Sequence, residues 1–158
     1  VVNVQGDEPL IDPQMIDFLA TNMIEQTGLK VATLIRRIED AADLSNPNVV
    51  KVVINRNNEA MYFSRQAIPF VRDFPVDSWL EHGVYYKHVG MYAYTSQALM
   101  AIEKLHMHPY EALEKLEQLT WIAHGLSIEC YETNMESIGI DTEEDLKAVT
   151  SMIAELED

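Results

Sequence analysis

Strand-like runs alternate with helix-like segments along the whole chain, and that alternation restricts the fold more than any other feature. Val1–Val4, Val31–Ile35, Val49–Asn55, Ala60–Ser64, His88–Tyr94 and Leu126–Tyr131 are apolar, β-rich or alternating, which predicts strands. Met15, Ile16, Leu19, Met23 and Ile24 recur at helical spacing and end near Gly28. Asp12 can cap that helix and Pro13 suits its first position. Further helices are predicted over 38–44, 96–104, 110–124 and 141–156, and Thr142 and Asp145 have capping-box spacing in the last. Asn46-Pro47-Asn48 and Arg56-Asn57-Asn58-Glu59 read as turns, the second closing a hairpin. The expected fold is therefore α/β, a mixed, mostly parallel sheet with helices on both faces and ligands at the carboxyl ends of its strands. Residues 65–86 hold two prolines, two phenylalanines and a tryptophan without periodicity, as a long functional loop or arm would.

At 158 residues the chain suits one domain or most of one. Its net charge of −15 opposes non-specific nucleic-acid binding. The same field means that an anionic substrate needs a metal or a local Arg/Lys cluster. Cys130 is the one cysteine. It rules out an internal disulfide, fits a reducing cytoplasm and reads as a buried strand thiol. No run approaches the ~18 apolar residues of a membrane helix, and no signal-peptide pattern is present. Val1–Val4 runs without a polar lead-in into the acidic turn Asp7-Glu8-Pro9. It is expected to be a buried, central strand, with further sequence before it.

The turn places Asp7 where α/β sheets bind ligands, and a carboxylate there suits Mg²⁺. A turn or capping role is the commoner one for an isolated Asp such as Asp7, and Glu8 and Asp12 compete with it as ligands. Asp141 follows the apolar Ile138-Gly139-Ile140 and precedes a helix. It either caps that helix or converges with Asp7 on a metal, as in phosphoryl-type chemistry. Arg65 and Arg72 flank Ile68-Pro69 and suit bidentate binding of a carboxylate or phosphate, or surface ion pairs. His88 opens a strand that contains Gly90, and a mid-strand glycine often marks close approach of a ligand or backbone. Glu114 and Gln118 are four apart on a predicted helix, so they share a face with each other.

Taken in order, these signals are specific. Val2–Pro9 (Val-Asn-Val-Gln-Gly-Asp-Glu-Pro), Ala60–Arg72 (Ala-Met-Tyr-Phe-Ser-Arg-x-x-Ile-Pro-x-x-Arg), Tyr86–Tyr94 (Tyr-Lys-His-Val-Gly-Met-Tyr-Ala-Tyr), Leu113–Leu119 (Leu-Glu-Lys-Leu-Glu-Gln-Leu) and Gly139–Leu146 (Gly-Ile-Asp-Thr-Glu-Glu-Asp-Leu) span nearly the whole chain. The chain thereby resembles the 3-deoxy-manno-octulosonate (Kdo) cytidylyltransferases, or CMP-Kdo synthetases, of lipopolysaccharide biosynthesis in Gram-negative bacteria. The resemblance implies a cytoplasmic, Mg²⁺-dependent transfer in which the anomeric hydroxyl of Kdo attacks the α-phosphate of CTP, giving CMP-Kdo and pyrophosphate. It carries the catalytic and metal roles onto Asp7 and Asp141. It carries sugar binding onto Gln5, Arg65, Arg72, His88, Tyr92, Glu117 and Gln118. It implies a homodimer, with the arm near 65–86 contributing to pairing, and no nucleic-acid or membrane partner.

Two positions depart from the family's pattern. Thr95 and Thr120 stand where the family commonly has Arg, and the lost charges would alter packing or shift preference among related sugars. The family's phosphate-cradling loop, of the type Pro-Ala-Arg-x-x-Ser-x-Arg-x-Pro-Gly-Lys, has no match here. Residues 1–158 are therefore expected to be the C-terminal two-thirds of one cytidylyltransferase domain. Such a chain would have little activity alone and would expose unpaired strand edges. A cytidylyltransferase for another acidic sugar (8-amino-Kdo or a sialic acid) is the second reading. Against a sialic acid stand Lys87-His88 and Ser64-Arg65-x-x-Ile68-Pro69. The third is a non-catalytic sugar-binding remnant, which has no need for both Asp7 and Asp141.

Overall fold

In the computed structural model, the described residues are 1–6, 9–25, 28, 31–135, 139–140 and 143–156. Among the described residues six strands, β1 (Val2–Asn3), β2 (Val31–Arg37), β3 (Lys51–Ile54), β4 (Ala60–Ser64), β5 (Tyr86–Tyr94) and β6 (Ile128–Glu132), form one sheet. The helices are α1 (Pro13–Glu25), α2 (Ala41–Ser45), α3 (Trp79–His82), α4 (Ser96–Ile102), α5 (Pro109–Glu114), α6 (Gln118–Ala123) and α7 (Glu143–Leu156). The sheet order is β4-β3-β5-β2-β6, with β1 also paired to β5.

β5 organises the sheet. Along one edge it pairs with β2 from Val31↔Tyr94 to Arg37↔Tyr86. On the other edge it pairs with β3 at Tyr86 and Lys87, then with β1 at Tyr92 and Ala93. The sheet is mixed as expected, but it is not mostly parallel. Among the described pairings only β2–β6 is parallel. The reason is connection: β3 and β4 form a tight hairpin, whereas parallel β2 and β6 are separated in the chain by β3, β4, β5 and the helices α4–α6. The expectation of a buried β1 also needs correction. Val1 is 65% and Val4 38% exposed, because β1 has β5 as its one partner among the described strands.

All of Val31–Ile35 is buried, since both faces of β2 are covered. On one face Met15 and Leu19 of α1 pack on Ala32, Leu34, Met91 and Ala93. Those two helix positions are four apart and fully buried, which stabilises the layer by about 1.5–3 kcal/mol per side chain. Asp12 accepts the Gln14 N–H at 2.9 Å and starts the helix as expected. On the other face Val31, Ile35, Phe63, Tyr92 and Tyr94 pack against Leu116, Leu119 and Trp121 around α5–α6. The hairpin curls until its tip reaches the opposite edge strand, where the Cys130 N–H donates to the Asn58 carbonyl at 2.8 Å. β6 is an edge strand, with part of that edge covered by the tip.

The segment 65–86 is less irregular than expected. It holds a 3₁₀ turn (Val76–Ser78) and α3. Trp79 and Tyr85 bury against Ile38 and Leu44, and the Tyr85 hydroxyl donates to the Pro69 carbonyl at 2.7 Å. This inner side folds onto its own chain, while Phe70 remains 75% exposed.

The single helix expected over 110–124 is two helices. Lys115 takes the left-handed conformation (φ 57°, ψ 45°) between α5 and α6. In an unbroken helix the Glu114 carbonyl would accept the Gln118 N–H. Here it accepts Arg65 Nε–H at 2.7 Å instead. The Glu114 carboxylate also accepts the Ser64 hydroxyl at 2.7 Å and the Arg65 N–H at 2.9 Å. A tertiary clasp has replaced a helical bond, so the shared face expected of Glu114 and Gln118 does not form.

Candidate active site

The break at Lys115 and an irregularity in β5 together open a cleft of about 490 Å³. Its floor is β5. Opposite the Thr33–Leu34 step, Tyr92 and Val89 are the paired residues, so Gly90 and Met91 are extra on the β5 side. His88, Gly90 and Tyr92 line the floor, Gln5 closes the end beyond β1, and Glu111, Lys115, Glu117 and Gln118 form the wall. The Gln5 side-chain amide donates to the Gly90 carbonyl at 3.2 Å, tying the end of β1 to the irregular stretch.

Five of the seven predicted sugar-binding residues therefore converge: Gln5, His88, Tyr92, Glu117 and Gln118. They come from three distant stretches of chain. The cleft lies over the middle of β5 rather than at the ends of parallel strands, because the antiparallel β5 supplies the extra residues that open it.

The two predicted arginines lie elsewhere. Arg65 donates to the carbonyls of Glu114 and Pro47 and acts as the clasp described above. Arg72 is exposed beside Asp73 at 3.7 Å. Asp7, Asp141 and Glu8 lie outside the described residues, as does Thr142 of the predicted capping box. Among the described residues no cluster of three or more His, Cys, Asp or Glu side chains is placed to hold a metal. Lys87 turns from the cleft to an ion pair with Asp43 at 2.7 Å.

Electrostatics divide the cleft into neutral and acidic parts. Burial pushes the His88 pKa down to about 4, so its imidazole is neutral at physiological pH. Its ring meets Phe63 edge-on at 5.3 Å and lies 5.1 Å from Tyr92. The Tyr92 hydroxyl is buried without a protein partner among the described residues. Burial, then nearby ionisable groups including Glu117, raise its pKa and keep it a hydrogen-bond donor. Loss of water around Glu117, then the Glu111 carboxylate, raise the Glu117 pKa as well. Lys115 supplies the positive charge on the lining. Amide, imidazole, phenol and carboxyl groups around one cleft suit a ligand rich in hydroxyls, each of which both donates and accepts.

Lys115, Glu111 and Thr33 were missed by sequence reasoning. Lys115 and Glu111 carried no signal beyond helical polarity. Thr33 did carry one, as a hydroxyl in the otherwise apolar Val31–Ile35 run. Buried Cys130, its thiol pushed up to about 12 by burial, is the inert strand residue its surroundings suggested.

The sequence pattern of the cytidylyltransferase family matches residues 1–137. The 3-deoxy-manno-octulosonate cytidylyltransferase of Cytophaga hutchinsonii is 47% identical over 95% of this chain and 60% of its own length. That of Parabacteroides distasonis is 42% identical over 98% of this chain and 62% of its own. A solved CMP:2-keto-3-deoxy-manno-octonic acid synthetase complexed with CTP superposes with a TM-score of 0.86 at 37% identity, covering 98% of this chain and 61% of that one. The chain thus spans about six tenths of the length of the curated relatives it matches. With the family's pattern matched from Val1 to residue 137 and the fold shared across nearly all the described elements, this chain belongs to the cytidylyltransferase family.

Proposed function

We propose that the full-length protein transfers CMP from CTP to the anomeric hydroxyl of Kdo. The hydroxyl oxygen bonds to the α-phosphorus, the bond to the β-phosphate oxygen breaks, and pyrophosphate and the hydroxyl proton leave. The observation that carries this reading is the convergence of Gln5, His88, Tyr92, Glu117 and Gln118 on one cleft. Relatives bearing the Kdo-specific name share 42–47% of their residues with this chain.

In this reading the cleft binds and orients the acceptor. Gln5 and Gln118 offer amide groups, His88 offers an uncharged ring nitrogen, and Tyr92 donates from its unpartnered hydroxyl. Fixing the acceptor in this way supplies the proximity on which phosphoryl-type transfer depends. No protein nucleophile is needed. Asp7 and Asp141 would hold Mg²⁺. Their carboxylate oxygens are the hard donors that ion takes, and Asp7 follows cleft-lining Gln5 by two residues. When bound, the ion would neutralise the triphosphate and favour loss of the hydroxyl proton.

The same reading brings a Gram-negative, cytoplasmic setting and a homodimer paired through the 65–86 arm. Exposed Phe70 and Phe74 on the outer side of that arm support the pairing. Incubating full-length protein with CTP, Kdo and Mg²⁺ tests the assignment. CMP-Kdo and pyrophosphate should form in equal amounts, stop on chelation, and be absent with Asp7→Asn or Asp141→Asn. Product from a sialic acid but not from Kdo would overturn it, as would CTP binding without turnover.

A further inference from the structure

We propose that Thr33 is a positioning residue for the cleft: its hydroxyl fixes His88 as the neutral tautomer protonated on Nε2, leaving Nδ1 to accept a hydrogen bond from a ligand hydroxyl. The inference deepens the cytidylyl-transfer reading and rests on it for what the ligand is, though not for the tautomer itself.

Thr33 is fully buried in β2. A valine would fill nearly the same volume, so what distinguishes threonine here is its oxygen. That oxygen lies 2.8 Å from the Met91 carbonyl and 2.9 Å from His88 Nε2, with the Val89 carbonyl at 3.4 Å. It sits at the irregular step between β2 and β5, where the ladder is interrupted. A hydroxyl has one proton, and a carbonyl can only accept. Two oxygens 2.8 Å apart without a proton between them repel each other. The Thr33 proton therefore points at the Met91 carbonyl, and the Thr33 oxygen is left as an acceptor. His88 Nε2, 2.9 Å away, must bring its own proton.

The other nitrogen follows by elimination. A neutral imidazole with a proton on Nε2 carries a lone pair on Nδ1. Nδ1 has no hydrogen-bond partner among the described residues and is not among the fully enclosed polar atoms that lack one, so it is open to the cleft. His88 lines the cleft, and Phe63 and Tyr92 pack against its ring. The cleft thus faces an oriented acceptor. Such a group selects a donor, a hydroxyl or an ammonium, and disfavours acceptor-only oxygens of a carboxylate or phosphate. An acidic sugar would place its hydroxylated part over His88 and its carboxylate elsewhere.

Imidazole ¹⁵N spectra of the full-length protein at neutral pH, with His88→Gln for assignment, test the tautomer. The expected result is a neutral His88 protonated on Nε2, and a mixed tautomer in Thr33→Val. Steady-state kinetics should show the KM for Kdo about five- to tenfold higher in Thr33→Val, the worth of one neutral hydrogen bond. The KM for CTP should be unchanged, and Thr33→Ser should recover the wild-type values. A wild-type His88 protonated on Nδ1, or an imidazolium, overturns the proposal. So does a folded Thr33→Val with unaltered tautomer and KM. If Thr33→Val does not fold, the wild-type spectrum and Thr33→Ser still decide. Absence of any transfer in the wild type would defeat the functional reading, while the spectrum would still settle the tautomer.

Discussion

Replacing His88 by Gln should flatten the pH dependence of stability between about pH 4 and 6.5. Burial holds the folded pKa of His88 near about 4, against 6.5 for a free imidazole. Between these values the unfolded chain binds a proton that the folded protein excludes. Stability therefore rises with pH across this window; it is complete above about pH 6.5 and falls as the solution is acidified toward about pH 4. At about 1.4 kcal/mol per pH unit the full span is worth about 3 kcal/mol. Glu117 and Glu129, whose folded pKa values are raised mainly by burial, act in the opposite sense. Their contribution is present at low pH and fades as pH climbs above the ordinary carboxyl value. Both variants contain them, so the difference between wild type and His88→Gln isolates the histidine. Urea unfolding at about pH 7.5, 6.5, 5.5 and 4.5 measures it. The wild type should lose about 2–3 kcal/mol more than the variant by about pH 4.5. Equal slopes would refute the reasoning, because they would mean His88 is as easily protonated folded as unfolded.

Glu114→Ala should destabilise by about 2–4 kcal/mol, since it orphans buried Ser64 and the Arg65 N–H and removes bonds to a charged acceptor; thermal unfolding reads this, and Glu114→Gln should recover part of it. Lys51→Met should cost about 1–3 kcal/mol in urea unfolding, because the buried ammonium donates to the Asn46 and Val49 carbonyls at 2.8 and 2.6 Å; an unchanged midpoint would mean that water replaces those bonds freely. Cys130 should resist iodoacetamide in the native protein at about pH 8, with a thiol pKa of about 12, and react on unfolding; rapid native labelling would contradict its burial.

Elements were legible where one local signal decided them. Asp12-Pro13 marked the start of α1 to the residue, and the four-residue spacing of Met15, Leu19 and Met23 marked its buried face, while its last residue, Glu25, comes three positions before the expected end near Gly28. The polar turn 56–59 between two β-rich runs gave the hairpin, with β4 at its expected bounds. Strand direction was not legible, because side-chain alternation is the same in parallel and antiparallel ladders. The break at Lys115 was hidden for a different reason. The residues after Pro109 have good helical propensity, and what stops α5 is Arg65, about fifty positions away, taking the Glu114 carbonyl. The same distance explains Arg65 itself. Its type suggested an anion, whereas its guanidinium satisfies two carbonyls. The converging residues Gln5, His88, Tyr92, Glu117 and Gln118 were named through resemblance, since no spacing rule brings three such separated stretches together.

Thr95 and Thr120, where the resembled family commonly has Arg, show what a lost charge is exchanged for. Thr95 accepts the Ala98 N–H at 3.1 Å and caps α4, a role a guanidinium cannot fill because it has no acceptor. Thr120 is buried at 4% exposure. Its oxygen accepts the His108 N–H at 2.8 Å at the start of α5 and donates to the Glu111 carboxylate. Each threonine thus anchors the start of a helix, and the second also holds a cleft acid in place. The Glu111 charge is bonded to a hydroxyl but not neutralised, and Glu117 lies near enough for its pKa to rise. On the lining, Lys115 then stands against two carboxyls. An acidic acceptor in this cleft would put its carboxylate toward Lys115 and its hydroxyls toward Glu111, Glu117 and His88. That is the orientation in which the neutral, Thr33-anchored imidazole would be an asset and a charged one a second competitor for the carboxylate.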